Sequence, residues 1–165
     1  MTAADLELPE SGAVLADLAL WDMRIDAATS GEEVDALFEE TPLLPGVIVM
    51  DGERIAALLA RRTFYDLTNR SFSRQVFLRH PISLLVESLP PAEPAVVPSQ
   101  LSIEAALDAA LARASGHVYD PLIVDSGDAL HLLEIEVLMR AAAAALTAAN
   151  REKDWLLGEL QRTGT

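Results

Sequence analysis

The chain has 165 residues, with 12 Lys+Arg against 26 Asp+Glu for a formal net charge of −14, 51% hydrophobic residues and no cysteine. Its length fits one compact domain or two small subdomains sharing a core, and roughly 68–70% of the unfolded surface is buried in chains of this size, so neither disulfide nor metal is needed for stability. The missing cysteines exclude thiolate chemistry, disulfide frameworks, Cys-ligated zinc and iron–sulfur clusters and make a reducing cytoplasm the default expectation, while the acidity makes nucleic acid a poor partner.

Met1 to Glu10 has neither a basic n-region nor an apolar h-region, so no signal peptide is expected. A short N-terminal helix with Val14, Leu15, Leu18 and Trp21 on one side is expected to dock on the core. Ile25-Asp26-Ala27 then supplies a short strand, and Ser30 followed by Glu33 has the capping-box pattern of a helix whose Val34, Leu37 and Phe38 recur at core-facing spacing. After Pro45-Gly46 come two short apolar runs, Val47 to Met50 and Ile55 to Leu59, split by Asp51-Gly52, the signature of a buried hairpin.

The plan then repeats at an offset of about 75 residues. The connection is Leu89-Pro90-Pro91-Ala92-Glu93-Pro94, too rich in proline for a helix. Ala95-Val96-Val97 matches the first strand, and Ser102 caps a helix with Ile103, Leu107, Ala110, Leu111 and Ala114 on its core face. Beyond Asp120-Pro121 lie the runs Leu122 to Val124 and Leu130 to Ile135, split by Ser126-Gly127. Each half therefore reads β-α-β-β-α.

Met139, Ala142, Leu146, Ala149, Lys153, Leu156 and Leu160 follow at steps of three and four, predicting one long amphipathic C-terminal helix. Its alanine-rich seam suits either close approach of another helix or a helix that merely caps its own domain; Trp155, Leu156, Leu157 and Leu160 favour association. The longest apolar tract, Leu138 to Leu146, is broken by Arg140 and lies far below the roughly 20 residues of a bilayer crossing, so no membrane partner is expected.

The two stretches LPGVIVMDGERIAALLARRTFYDL and VYDPLIVDSGDALHLLEIEVLMRA resemble a tandem pair of cystathionine-β-synthase (CBS) domains, the Bateman module, across about residues 24 to 146. Arg61-Arg62-Thr63-Phe64, Arg74 and Phe77 to Ile82 look more narrowly like the divergent pairs found ahead of bacterial signalling output domains such as diguanylate cyclases, histidine kinases and serine phosphatases. The resemblance implies an α/β fold of two repeats packed about a pseudo-twofold axis, divided as an N-terminal extension (1–23), a first repeat (24–80), a second repeat (81–146) and a connector helix (147–165). It implies a non-catalytic regulatory module that dimerises with a second copy, serves an attached or associated output domain, and takes an adenine nucleotide or other anionic ligand between the repeats. The family reads ribose with a Thr or Ser and an Asp three residues apart. Here those places hold Ala60 and Thr63, then Glu134 and Val137, so both aspartates are missing. The alternative is a structural dimerisation or protein-docking domain without ligand.

Candidate ligand residues are Pro45, Gly46, Arg61, Arg62, Thr63, Tyr119, Asp120 and Glu134. Pro45-Gly46 and Tyr119-Asp120-Pro121 precede the second strand of each repeat, where glycine permits close approach and Tyr119 either stacks on a purine or packs over a plain turn. Arg61, Arg62, Arg70, Arg74 and Arg79 form either an anion site or a set of ion pairs with Glu32, Glu33, Asp35, Glu39 and Glu40. His80, His117 and His131 lack ligand spacing, Ser71 and Ser73 lack a nucleophile elbow, and no phosphate loop is present, so neither metal nor catalysis is expected.

Overall fold

The computed structural model describes residues 13–70, 72–90, 93–113 and 115–164. The expectations for Met1 to Glu10, Ser71, Pro91, Ala92 and Ala114 lie outside these residues. Two three-stranded sheets are present, β1 (Arg24–Asp26), β2 (Gly46–Asp51) and β3 (Arg54–Ala60) in one, β4 (Val96–Pro98), β5 (Leu122–Asp125) and β6 (Leu130–Leu133) in the other. In each the first pair is parallel and the second antiparallel. Helices α1 (Gly31–Glu40) and α5 (Ile103–Leu111) make the crossovers.

Both expected caps form: the Ser30 Oγ accepts from the Glu33 N–H at 3.1 Å and the Ser102 Oγ from the Ala105 N–H at 3.2 Å. The hairpins turn at Gly52 (φ 64°) and Gly127 (φ 93°), left-handed backbone that glycine adopts without a Cβ penalty. The first repeat continues into α2 (Arg61–Thr68), α3 (Ser73–Arg79) and α4 (Ile82–Glu87); the second runs straight into the 29-residue α6 (Ile135–Thr163).

Strand alternation sorts the side chains into layers. Val47, Val49 and Leu59 face Val34, Phe38, Phe64, Ile82 and Leu85, whereas Val97, Leu122, Val124 and Leu133 face Ile103, Ala106, Ile135 and Leu138. The intervening Ile48, Ile123 and Leu132 point the other way and seal the two sheets to each other. Burial on both faces explains why these strands read as unbroken apolar runs.

Three local expectations are corrected. The segment Val14 to Trp21 is not a helix but extended chain around one 3-10 turn, Leu15–Asp17, anchored by antiparallel bridges at Val14 and Trp21. Leu111 is 59% exposed, and Ala106 takes the core place, because the buried stripe of α5 runs through Ile103, Ala106 and Ala110 and Leu111 lies one position off it. Ile135 begins α6 instead of ending β6; its side chain is buried all the same.

Candidate ligand cleft

The two sheets match at the centre of their ladders, although β2–β3 carries a register shift at Val49/Met50 that β5–β6 lacks. The Ile48 N–H donates to the Met23 carbonyl at 3.1 Å and the Ile123 N–H to the Ala95 carbonyl at 3.0 Å. Ile48 lies opposite Leu58, and Ile123 opposite Leu132. Because the β2 and β5 residues bond to the other side, these are non-hydrogen-bonded pairs, and Leu58 and Leu132 turn their own N–H and C=O away from the ladder. At Leu132 both groups are taken: the Trp21 N–H donates to the Leu132 carbonyl at 2.9 Å, and the Leu132 N–H donates to the Trp21 carbonyl at 2.8 Å. At Leu58 no described residue takes either.

The open Leu58 edge borders a cavity of about 590 Å³ between the repeats. Ala56, Leu58 and Thr63 line it from the first repeat, Val86, Glu87, Leu89 and Pro90 from α4 and its exit, and Glu93 to Ala95, Arg113, His117 and Asp120 from the other side. Its only arginine is committed elsewhere: Arg113 donates to the carbonyls of Val118 (2.9 Å), Asp120 (2.6 Å), Ala110 (3.2 Å) and Pro121 (3.3 Å), holding the loop before β5. Burial lowers its pKa and the Asp120 charge opposes that shift. His117 Nδ1 meets Asp120 Oδ2 at 2.8 Å. Glu87 and Glu93 are left facing the space, so the lining is acidic, with backbone and hydroxyl groups for recognition.

A second cavity of about 300 Å³ adjoins it through Asp120 and is lined by Pro45, Ala60, Arg62, Tyr119, Asp120, Pro121 and Glu134 to Glu136. Five of the eight residues singled out from sequence, Pro45, Arg62, Tyr119, Asp120 and Glu134, thus meet here, and Thr63 joins Asp120 in the larger cavity. Gly46 and Arg61 line neither. A Cβ on Gly46 would lie 2.7 Å from the Leu59 carbonyl oxygen, so the glycine admits the neighbouring strand. Arg61 folds back over the Phe38 and Tyr65 rings, 5.3 and 5.4 Å from their centroids, and donates to the carbonyls of Phe38 (2.9 Å) and Thr41 (3.2 Å) at the end of α1.

The arginines do not converge on one point. Arg62 donates to the Gly116 carbonyl at 3.1 Å, and Arg74 pairs with the nearly buried Asp35 at 3.0 Å, the one member of the expected acidic set engaged by an ion pair among the described residues. Tyr119 is 73% exposed. Sequence reasoning missed Leu58 and Trp21. Strand parity could have put Leu58 and Leu132 in matching places, but nothing local marks Trp21 as a strand-edge partner.

No protein-family model and no curated protein matches the sequence. The fold does have solved counterparts. The crystal structure of CBSX2 in complex with AMP, a CBS-pair protein of Arabidopsis thaliana, superposes with a TM-score of 0.56 at 17% identity, covering 81% of this chain and 98% of that one. A CBS-domain-containing protein of unknown function from Kribbella flavida gives 0.59 at 18% identity, covering 79% and 98%. A putative signal-transduction protein with CBS domains from Burkholderia ambifaria gives 0.51 at 20%, covering 87% and 95%. The chain has the fold of a CBS pair.

Proposed function

We propose that this chain is a non-catalytic regulatory module that takes an adenine nucleotide in the larger cleft and passes its occupancy to α6. The observation that carries this reading is the Leu58 N–H and C=O, which no described residue takes, at the wall of the 590 Å³ cavity. Adenine presents an acceptor, N7, beside a donor, N6–H, which suits one residue's outward N–H and C=O. Thr63 offers a hydroxyl for the ribose, and the acidic lining favours one phosphate over three. AMP, present in one of the neighbouring structures, is therefore the probe of choice.

Asp120 borders both cavities, and the start of α6, Glu134 to Glu136, lines the smaller. Ligand in the larger cleft would move the Asp120 loop and with it the root of α6. Only Ile135 and Leu138 of that helix are buried, while Met139, Leu146, Trp155 and Leu160 are at least half exposed. A second copy covering this face, beside an attached or associated output domain, is the arrangement the reading requires. No helix among the described residues is long and apolar enough to cross a membrane. Calorimetric titration with AMP, run beside a solution mass, tests the proposal: one AMP per chain on a dimer is expected. A dimer that releases no heat with AMP would leave a structural dimerisation domain, and a monomer would remove the helix-pairing mechanism.

A further inference from the structure

The edge that stands open at Leu58 is closed at Leu132, and the closing group is unusual for a strand partner. Trp21 is a single residue outside any strand, yet it exchanges both backbone hydrogen bonds with Leu132, and its indole Nε1–H donates to Glu134 Oε1 at 2.8 Å. Its place before β1 corresponds to that of Glu93 before β4, which lines the open cavity without taking the Leu58 edge. Leu132 is fully buried, and Leu58 is not. Trp21 thus offers a backbone donor–acceptor pair to the Leu132 edge and, from its side chain, a flat ring with a ring N–H, the features of a planar heterocyclic ligand, at the place related to the open cleft by the pseudo-twofold repeat.

We propose that Trp21 is a built-in occupant of the second cleft, a site for planar N–H heterocycles that the chain fills from its own N-terminal arm, leaving one cleft for ligand. This deepens the reading above, on which the single-ligand stoichiometry rests. The occupant also touches the output: Glu134 is the N-cap of α6, and Leu15, upstream on the same arm, packs with Ile135 and Leu138 of that helix. The arm is held independently of the indole, through the Leu15 N–H to Leu101 carbonyl (3.2 Å) and Ala16 N–H to Ser99 carbonyl (2.9 Å) bonds, so truncating Trp21 should vacate the cleft without releasing the arm.

The test is chemical rescue of Trp21→Ala. The variant is expected to melt about 5 °C below the wild type; millimolar indole should restore most of that loss and leave the wild type unmoved, whereas 1-methylindole, lacking the N–H, should not restore it. Equal stabilisation of both proteins by indole, rescue of neither, or rescue by 1-methylindole as complete as that by indole overturns the proposal. Should the variant fail to fold, Trp155→Phe leaves Trp21 as the sole tryptophan. Slow acrylamide quenching of it with a protected Leu132 amide supports the plug, and quenching as fast as a free indole refutes it. None of these readouts uses AMP, so failure of the wild type to bind AMP would sink the first-cleft reading while leaving the indole result to stand or fall alone.

Discussion

The two repeats share one ladder and differ in what covers its outer edge. Before β1 the chain brings Trp21, whose backbone pairs with Leu132; before β4 it brings Glu93 and Pro94, and no described residue takes the same edge at Leu58, beside the 590 Å³ cavity. The difference in edge cover thus lies in the residues ahead of each first strand and not in the strands themselves. A second difference lies in the helices: the first repeat closes its core with the aromatic group Phe38, Phe64 and Tyr65, whereas the second uses small aliphatic residues such as Ala106 and Ala110 under α6.

The largest expected effect comes from emptying the aromatic core. Phe64 is fully buried with its ring 5.3 Å from that of Phe38, and Phe64→Ala should cost about 3–5 kcal/mol in urea unfolding. Arg61→Ala ranks next. Two carbonyls at the end of α1 lose their donor and two rings lose their cation, for about 1–3 kcal/mol, while AMP affinity, measured where the variant is folded, should not change. Thr63→Ala should do the reverse, weakening AMP up to about tenfold with little change in the melting temperature of the free protein. An unchanged affinity would move the ribose away from α2.

The smallest effect is one of pH. Tyr65 has its pKa raised above 10.0, by desolvation first and by the Asp35 charge next, with Arg61 opposing. A raised phenol pKa means that the folded state holds the proton more tightly, so this contribution is intact below pH 10 and fades as the pH climbs through the folded-state value. Tyr65→Phe should melt with a slightly flatter alkaline limb between about pH 9 and 11 than the wild type.

Much of the architecture was legible because its determinants are local. Ser30 and Ser102 mark helix starts by a side-chain bond three residues ahead, Gly52 and Gly127 mark turns by backbone freedom, and two-sided burial writes itself as unbroken apolar runs at Val47 to Val49 and Leu122 to Val124. Five of the eight singled-out residues gather around the smaller cavity since positions flanking β2 and β5 are fixed once the repeat is seen. What stayed hidden depends on partners far along the chain. Trp21 meets Leu132 and Glu134 across more than a hundred residues, and its apolar neighbours Val14, Leu15 and Leu18 imitate a helix face. Arg61 sits among other arginines in sequence but is held by Phe38, Tyr65 and Thr41 in space, a packing role that charge counting reads as an anion site.

The most direct measurement is the backbone amide spectrum of the folded chain titrated with AMP. The Leu58 amide should shift with saturation while the Leu132 amide, already bonded to Trp21, stays in place. Movement of Leu132 with Leu58 unchanged, or no movement of either at saturating AMP, would contradict it.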